Sequence, residues 1–319
     1  LAPLSALLAI SFLIAGLAIL VLDLGRPNRL IVAMTTYNFI SIFSWNIFLY
    51  SGFAVVLAAY IWTMLDREVN KYSKFMGTFA FGWRIILTTG TGSIFGFLVA
   101  REAYSTAILA PLFIVMSLLY GTAVYYLVLR IISKFHNTYI PKNVLDNLKK
   151  LSVMFLFANL YFLGLYHVTN MYIAKHWDFE IFILSSGGIY TLSFWLGQVI
   201  IGIVLPIIIL SSNKLGTHLA LTIASFLILL GSFIAMYVII IGGQAYPLTI
   251  FPDHIIIDSS FYDNVVHSYI PSIYEFGLGI GGVALALIIT LIGIANFKFL
   301  PTMISSPHSS EPSDKTTDS

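Results

Sequence analysis

Carboxylates at the ends of long apolar segments are the side chains of this sequence best suited to proton chemistry. Asp23 ends the first apolar segment three residues before Arg26, and Glu275 opens the last one. Apolar neighbours raise the pKa of a carboxyl group, which lets it exchange protons during turnover. We predict Glu275 and Asp23 as catalytic carboxylates. The alternative is that Asp23 and Arg26 form a capped turn and that Glu275 pairs with an arginine to fix helix packing.

A second polar group follows the third apolar segment. Arg101 and Glu102 are adjacent, and Tyr104 lies two residues further on. Arginine and tyrosine supply hydrogen-bond donors and the carboxylate supplies a titratable group, as an apolar pocket needs in order to bind a ring with carbonyl groups and move its protons. We predict that these three residues and Arg26 line a binding site. The simpler interpretation is that the charged pair anchors a helix at the membrane edge.

Further polar side chains lie within or beside the apolar segments. Placing the charged side chain of Arg84, next to Trp83, in an apolar segment costs free energy unless it faces a partner, a polar cavity or the membrane surface. His167 lies deep in a segment, with no partner evident in the sequence, and is either a hydrogen-bonded group or a proton carrier. Gln198 and Gln244 could donate to a bound carbonyl or hydrogen-bond between helices. We include His167, Gln198 and Gln244 among the predicted cofactor-binding residues.

The elements that position these residues are membrane helices. Hydrophobic residues make up 59% of the 319 residues and charged residues only 9%, against about 25% charged in an average soluble protein. Long apolar runs favour an all-α bundle over a β-barrel. We predict about eight transmembrane helices, of which the third is weakest because Arg84 opens it and a Thr/Gly stretch at 88–92 interrupts it. Their predicted ranges are 2–22, 42–65, 82–100, 105–132, 149–174, 181–210, 218–242 and 273–299.

Composition also excludes several kinds of site. The chain has no cysteine, which excludes disulfides, thiolate-held zinc and an iron–sulfur cluster held by this chain. His167 is the only histidine deep in a predicted span, whereas a di-haem b-type cytochrome needs paired histidines, so we expect no haem. No metal-binding spacing is found, and the net charge of +2 gives no reason to expect nucleic acid as a partner.

Basic residues are concentrated on one side of the predicted bundle. Loops 66–81, 132–149 and 211–217 and the C-terminal tail carry most of them, so the positive-inside rule makes this side cytoplasmic. The opposite side is acidic and contains the longest loop, 243–272. We divide the chain into a transmembrane domain, 1–304, and a polar tail, 305–319, expected to be disordered. Because the sequence starts within an apolar run, we expect a further helix upstream.

Short motifs occur in order along nearly the whole chain. They are Asp-Leu-Gly-Arg-Pro at 23–27, Ser-Ile-Phe-Ser-Trp-Asn at 41–46, Gly-Phe-Leu at 96–98, Pro-Leu-Phe at 111–113, Gly-Gly-Gln at 242–244 and Tyr-Ile-Pro-Ser at 269–272. In this order and spacing the chain resembles the NrfD/PsrC family, and more narrowly its DsrP/HmcC branch. Two departures are noted. The branch usually has an additional helix ahead of the helix that ends at 23–27, and commonly an arginine where this chain has the pair Met236-Tyr237.

The resemblance implies a function in respiration. Members are haem-free membrane subunits that bind a quinone, here expected to be of the menaquinone type, and exchange electrons with a ferredoxin-like iron–sulfur subunit on the extracytoplasmic face. Many complexes add a molybdopterin catalytic subunit that acts on sulfur compounds. The resemblance places Asp23, Arg26, Arg101 and Glu275 near the quinone and docking region, and implies a multi-pass protein of a prokaryotic plasma membrane.

Two other functions fit parts of the sequence. Arg84, His167 and the glycine-interrupted helices suit an ion or solute transporter or channel, although no inverted repeat is evident. A purely structural membrane anchor would follow if all the polar residues only cap and connect helices.

Overall fold

The part of the chain that the structure describes forms eight long helices. The computed structural model describes residues 2–135, 139–212, 215–247, 266 and 269–297, and within these ranges it contains no β-strand. This confirms the predicted all-α membrane protein. The helices are α1 Ala2–Asp23, α2 Ile42–Leu65, α3 Ser73–Gly96, α4 Leu109–Phe135, α5 Lys142–Tyr172, α6 Ile189–Ser211, α7 Thr217–Ala245 and α8 Ile273–Asn296.

Seven of these helices in the described ranges are long and apolar enough to cross a membrane, and α3 is the exception. Nevertheless, α3 runs antiparallel to α2 over its whole length. Gly77 of α3 lies against Tyr60 of α2 near one end, and Gly90 lies against Asn46 near the other. Since α3 covers the same distance as α2, the structure agrees with about eight predicted crossings.

The predicted start and interruption of the third helix are wrong. α3 begins at Ser73, which places Arg84 near the middle of the helix rather than at its start. The Thr/Gly stretch continues the helix, because the hydroxyls of Thr88 and Thr89 donate to carbonyls one turn earlier at 2.9 and 2.8 Å. Gly92 lies directly against the backbone of Ala110. The glycines therefore allow close helix approach instead of breaking the helix.

The helices form a bundle with a row of helices beside it. Helices α4, α5, α6 and α7 pack around the main apolar core, while α3, α2, α1 and α8 extend outward in that order from α4. A smaller core, centred on Leu13, Phe53, Leu57 and Leu87, lies between α1, α2 and α3. Leu7 meets Gly293, and Ile19 meets Gly282, which aligns α1 and α8 antiparallel.

The predicted span 181–210 is divided into two helical pieces. A short helix, Trp177–Ile181, continues as a π-helical turn, Phe182–Ser186, and ends before α6 begins. Gly188 adopts a positive φ of 57°, and a side chain at Gly187 would meet the carbonyl of Phe182. The two glycines therefore permit a sharp turn here. We call residues 177–186 the entry segment.

Parts of α6 and α7 are π-helical, at Ser193–Val204 and Tyr237–Gly242. The two helices approach closely where the Cα atoms of Gly202 and Gly231 face each other. A π-helical stretch leaves carbonyls displaced from the regular α-helical pattern and is frequent at functional sites. Most of the 243–272 loop and the tail 305–319 lie outside the described residues, so the predicted domain boundary and disordered tail stay predictions.

Candidate proton-transfer site

A chain of hydrogen bonds joins α5 to the entry segment at the acidic end of the bundle. His167 Nδ1 lies 2.7 Å from Glu180 Oε2, and Glu180 Oε1 accepts a hydrogen bond from Asn170 Nδ2 at 2.9 Å. Asn170 Oδ1 in turn lies 3.2 Å from His176 Nδ1. All four side chains are buried, Glu180 to 1% exposure. The sequence interpretation left His167 without a partner, and the structure supplies Glu180.

Local chain geometry explains how the four residues meet. His167 and Asn170 lie about one turn apart on the inner face of α5. A 3-10 turn, Ala174–His176, then reverses the chain so that the entry segment returns against the end of α5. Glu180 is thereby carried inward beside the helix that precedes it. No spacing rule for a metal or catalytic motif contains this reversal, so Glu180, Asn170 and His176 are not predictable as site residues from the sequence.

The hydrogen bonds determine which atoms carry protons. Burial lowers the pKa of His176, the neighbouring Lys175 lowers it further, and Glu180 opposes them. His176 is therefore neutral near pH 7 and donates from Nδ1 to Asn170 Oδ1. Glu180 Oε1 accepts from Asn170 Nδ2, and a carboxylate oxygen at Oε2 would make His167 Nδ1 the donor of the 2.7 Å contact. This leaves Nε2 of His167 with the lone pair that can accept a proton.

A small cavity adjoins His167. Its volume is about 20 Å³, which is enough for one water molecule, since a water needs roughly 10–15 Å³. Polar groups reach it from His167, from Tyr166, whose hydroxyl donates to Ala103 O at 2.6 Å, and from Gln198. The buried Oε1 of Gln198 has no protein hydrogen-bond partner, so a water here would satisfy it. The apolar lining is Leu112, Leu163, Phe179, Ile183, Phe194, Val238 and Ile239.

Two of the predicted hydrogen-bond donors, Arg101 and Tyr104, bind backbone carbonyls at the end of α7. Arg101 Nη1 donates to the carbonyls of Gln244 and Tyr246 at 3.1 and 3.2 Å, where the helix dipole favours a cation. The hydroxyl of Tyr104 donates to the carbonyls of Ile239 and Ile240 at 3.0 and 3.2 Å, within the π-helical stretch. Burial raises the pKa of Tyr104 to about 12, against the effect of Arg101. In this structure the donors of Arg101 and Tyr104 stabilise the site from outside the cavity.

Glu102 lies beside the hydrogen bonds that Arg101 and Tyr104 make to the end of α7, and a second acid, Asp178, influences it. Its Oε2 is buried without a hydrogen-bond partner. Burial raises the pKa of Glu102, Asp178 raises it further, and Lys175 opposes them. The pKa of Tyr246 is raised by burial and then by the same two acids. Glu102 is therefore a titratable group near the surface of the acidic end.

The remaining predicted residues lie in a separate group between α1 and α8. The predicted apolar surroundings of Glu275 are not found, because Glu275 is exposed, and no ion pair joins it to an arginine among the described residues. Instead it forms a capping box, in which it accepts from Ser272 N at 2.6 Å while Ser272 Oγ accepts from Glu275 N at 3.3 Å. Tyr269 is hydrogen-bonded to Glu275 and feels the charge of Asp23. Arg26 is exposed, and no ion pair joins it to Asp23 in the described part of the chain.

The structure therefore divides the single predicted pocket into two places. Among the described residues, no hydrogen bond, ion pair or ring contact joins the Asp23 and Glu275 group to the loop that carries Arg101. His167 and Gln198 meet at the cavity, whereas the side chain of Gln244 is exposed and only its carbonyl takes part. The catalytic and binding roles predicted for all these residues stay predictions.

Comparison with known proteins identifies the family. Residues 1–247 match the family model described as polysulphide reductase, NrfD. The chain is 30% identical over 300 residues to the Hdr-like menaquinol oxidoreductase integral membrane subunit of Archaeoglobus fulgidus, covering 93% of this chain and 75% of that protein. It is 23% identical over 324 residues to a selenate reductase subunit of Mesobacillus selenatarsenatis, covering 88% and 74%. These matches confirm the resemblance seen in the motifs, while its DsrP/HmcC branch stays a prediction. With its apolar helices and this match, the chain is a multi-pass membrane protein that belongs to the polysulphide reductase NrfD family.

Proposed function

We propose that this protein is the quinone-reactive membrane subunit of a multi-subunit respiratory oxidoreductase and that the His167–Glu180 pair moves its protons. The observation that carries the proposal is this buried ionisable pair at the acidic end of a membrane bundle, hydrogen-bonded at Nδ1 of His167 and at both carboxylate oxygens of Glu180. Ionisable residues are expensive inside a membrane protein and mark proton relays or substrate paths. The name of the relative from Archaeoglobus fulgidus, a menaquinol oxidoreductase subunit, supports a quinone of the menaquinone type.

The pair has the arrangement of a base and the group that orients it. Glu180 holds the Nδ1 proton of His167, which fixes the ring and leaves Nε2 to accept a proton. Asn170 holds the second carboxylate oxygen, so Glu180 cannot rotate away. Oxidation of a quinol to a quinone would release two electrons, which the iron–sulfur cluster of the partner subunit takes up, and two protons, of which one goes to His167 and the other to a carboxylate of the acidic end. His167 Nε2 takes up a proton on the cavity side, and the carboxylate of Glu180 stabilises the imidazolium that results.

The residues that line the cavity suit a quinone chemically, but the cavity is too small to contain its ring. Apolar walls, a base and the unpartnered oxygen of Gln198 suit a ring that carries carbonyl groups. The cavity, however, has room for about one water molecule and is too small for a ring. We therefore assign His167 to the proton route and place no ring inside the cavity. Asp23, Arg26, Arg101, Glu102, Tyr104 and Glu275 remain the proposed quinone-side residues of the acidic end.

Electron exchange requires a partner. The chain contains no cysteine, so a thiolate-held cluster must belong to another subunit. We propose a ferredoxin-like iron–sulfur subunit docked on the acidic end, with a molybdopterin catalytic subunit in some complexes, in the plasma membrane of a prokaryote. The acidic end is the extracytoplasmic one by the positive-inside rule. Sulfur-compound respiration is the proposed setting; one relative is named a selenate reductase subunit.

The experiment is purification of the assembled complex from the native membrane. Co-extracted quinone, together with iron–sulfur absorption from a second subunit that sodium dithionite reduces and added quinone reoxidises, supports the proposal. A complex that contains neither would contradict it. Solute uptake by vesicles that contain this chain alone would favour the transporter instead.

A further inference from the structure

We propose that the cavity beside His167 is a binding site for a single water molecule and that Gln198 positions this water to deliver a proton to His167. The inference rests on the proposed proton route and adds the step that precedes His167. Three observations carry it: the volume of the cavity, the hydrogen bonds already formed around it, and a buried amide oxygen without a partner. Gln198 is in this account a positioning residue, which acts through the water.

The side-chain oxygen of Gln198 needs a hydrogen-bond donor. Gln198 is 4% exposed, and its Oε1 atom is buried without a partner in the described part of the protein. A buried acceptor that stays unsatisfied costs free energy. The cavity that Gln198 lines has a volume of about 20 Å³, and buried waters commonly satisfy such groups. A water is therefore the donor that fits this place.

The other polar groups at the cavity are acceptors. His167 Nδ1 lies 2.7 Å from Glu180 Oε2, and a proton between these two atoms leaves Nε2 with a lone pair. Tyr166 donates its one hydroxyl hydrogen to Ala103 O at 2.6 Å, so its oxygen can only accept. A water has two hydrogens for these acceptors. It therefore donates to Gln198 Oε1 and to His167 Nε2, and its lone pairs stay free to accept a proton.

This arrangement gives a balanced proton transfer. The O–H bond of the quinol breaks, and its proton binds to a lone pair of the water. The water passes the hydrogen that faces Nε2 to His167, where an N–H bond forms, and it remains a neutral water. The two electrons go to the cluster of the partner subunit. Gln198 holds the other hydrogen of the water, which keeps the transferred one directed at Nε2.

The size of the cavity makes this step selective for protons. Its volume of about 20 Å³ accommodates one water, whereas a hydrated metal ion carries several. The remaining lining residues are apolar and supply no ligands that could replace the waters of an ion.

The first test is the density in the cavity of the assembled complex, determined by electron cryo-microscopy at a resolution that shows buried waters. We expect one water at roughly 2.6–3.2 Å from both Gln198 Oε1 and His167 Nε2. Gln198→Met keeps the length of the side chain but removes the oxygen, so this variant should lose the water. A wild-type cavity without water density would overturn the proposal.

The second test removes the water without changing a polar group. Val238 lines the cavity and is 4% exposed, so the added methyl group of Val238→Ile should displace the water. Both Val238→Ile and Gln198→Met should lower quinol turnover at least tenfold, with unchanged assembly and iron–sulfur content. Val128→Ile adds the same methyl group at a partly buried position of α4 that does not line the cavity. It should keep wild-type turnover.

The results separate this inference from the proposed function. Wild-type turnover in a Val238→Ile complex whose cavity has lost its water would overturn the water step. Loss of turnover in Glu180→Gln, together with wild-type turnover in Gln198→Met, would contradict the water step alone. Wild-type turnover in both variants would contradict the proton route itself. If neither Val238→Ile nor Gln198→Met assembles, the density in the wild-type cavity decides.

Discussion

The imidazole Nδ1 of His167 lies 2.7 Å from Oε2 of Glu180, although one residue belongs to α5 and the other to the segment that leads into α6. Both side chains are buried, and the second carboxylate oxygen is held by Asn170. Removal of one partner of a buried pair costs about 3–5 kcal/mol because an uncompensated charge remains. The pair therefore stabilises the packing of the entry segment against α5, apart from the proton transfer proposed for it.

The contact between α6 and α7 should not tolerate a side chain at Gly231. A Cβ there would overlap the Cα of Gly202, so Gly231→Ala should lower the free energy of unfolding by about 1–3 kcal/mol. Gly164→Ala is the matched control, since a Cβ at Gly164 meets nothing within 4 Å. Unfolding by denaturant in detergent measures both variants. Equal stability of the two would contradict the close approach of α6 and α7.

Glu102 should make the folded protein sensitive to pH. Burial and Asp178 raise the pKa of Glu102 above its ordinary value of 4.5. A carboxyl with a raised pKa in the folded state favours folding when protonated, so this contribution is complete below the unfolded pKa and is lost as the pH rises through the folded pKa. Because the glutamine of Glu102→Gln does not ionise, this variant should not lose that contribution. The unfolding temperature of Glu102→Gln should therefore exceed that of the wild type by an amount that grows as the pH rises above 4.5.

The control for Glu102 is Glu68→Gln, at an exposed position of the basic end. Its unfolding temperature should follow that of the wild type across the same pH range. A constant difference between Glu102→Gln and the wild type at every pH would contradict a raised pKa of Glu102.

Orientation in the membrane can be tested directly because the chain has no cysteine. Asn28 follows α1 at the acidic end, Asn143 lies in the first turn of α5 at the basic end, and both are exposed. A membrane-impermeant thiol reagent applied to intact cells should label Asn28→Cys and leave Asn143→Cys unlabelled. Preferential labelling of Asn143→Cys would show the inverted orientation.

Glu275→Gln separates a proton role of Glu275 from its role in capping α8. Glutamine also serves at this position of a capping box, so the variant keeps the cap and loses the charge. If Glu275 accepts protons from a quinol, turnover should fall at least tenfold, by the usual size of acid–base effects, with normal assembly of the complex. Ser272→Ala is the companion variant, which should destabilise by about 1 kcal/mol and keep turnover. Normal turnover of Glu275→Gln would assign Glu275 to capping alone.

The helices were predictable because lipid allows few alternatives. Backbone groups inside a membrane must be satisfied within a helix, so apolar length alone located most of the crossings, and the predicted range of α2 agrees with the structure. The sequence does not predict the start of α3, because an arginine beside apolar residues is typical of a helix boundary. In the structure the guanidinium of Arg84 lies 5.6 Å from the ring centroid of Phe53, and this ring on a neighbouring helix allows the arginine a place in the middle of α3.

The site was predictable only in part. His167 and Gln198 stood out as polar residues in apolar runs, and their meeting at the cavity depends on helix packing that no local pattern contains. Glu180 was counted with the acidic loops, because nothing in the sequence shows that the chain turns back at Ala174–His176. The glycines at 187 and 188 are a local sequence signal of a break before α6. That the chain turns there is shown by the backbone, in which Gly188 has a positive φ.

The most direct test of the account is quinol oxidation by the assembled complex that carries Glu180→Gln. This variant keeps the size of the side chain but presents an amide to His167, so it no longer holds the Nδ1 proton as a carboxylate does. Asp146→Asn, on the same α5 helix as His167 but near the basic end, is the control. We predict that Glu180→Gln lowers quinol turnover at least tenfold with unchanged assembly and iron–sulfur content, while Asp146→Asn behaves like the wild type. Wild-type turnover in a fully assembled Glu180→Gln complex would contradict the assignment of the His167–Glu180 pair as the proton-transfer site.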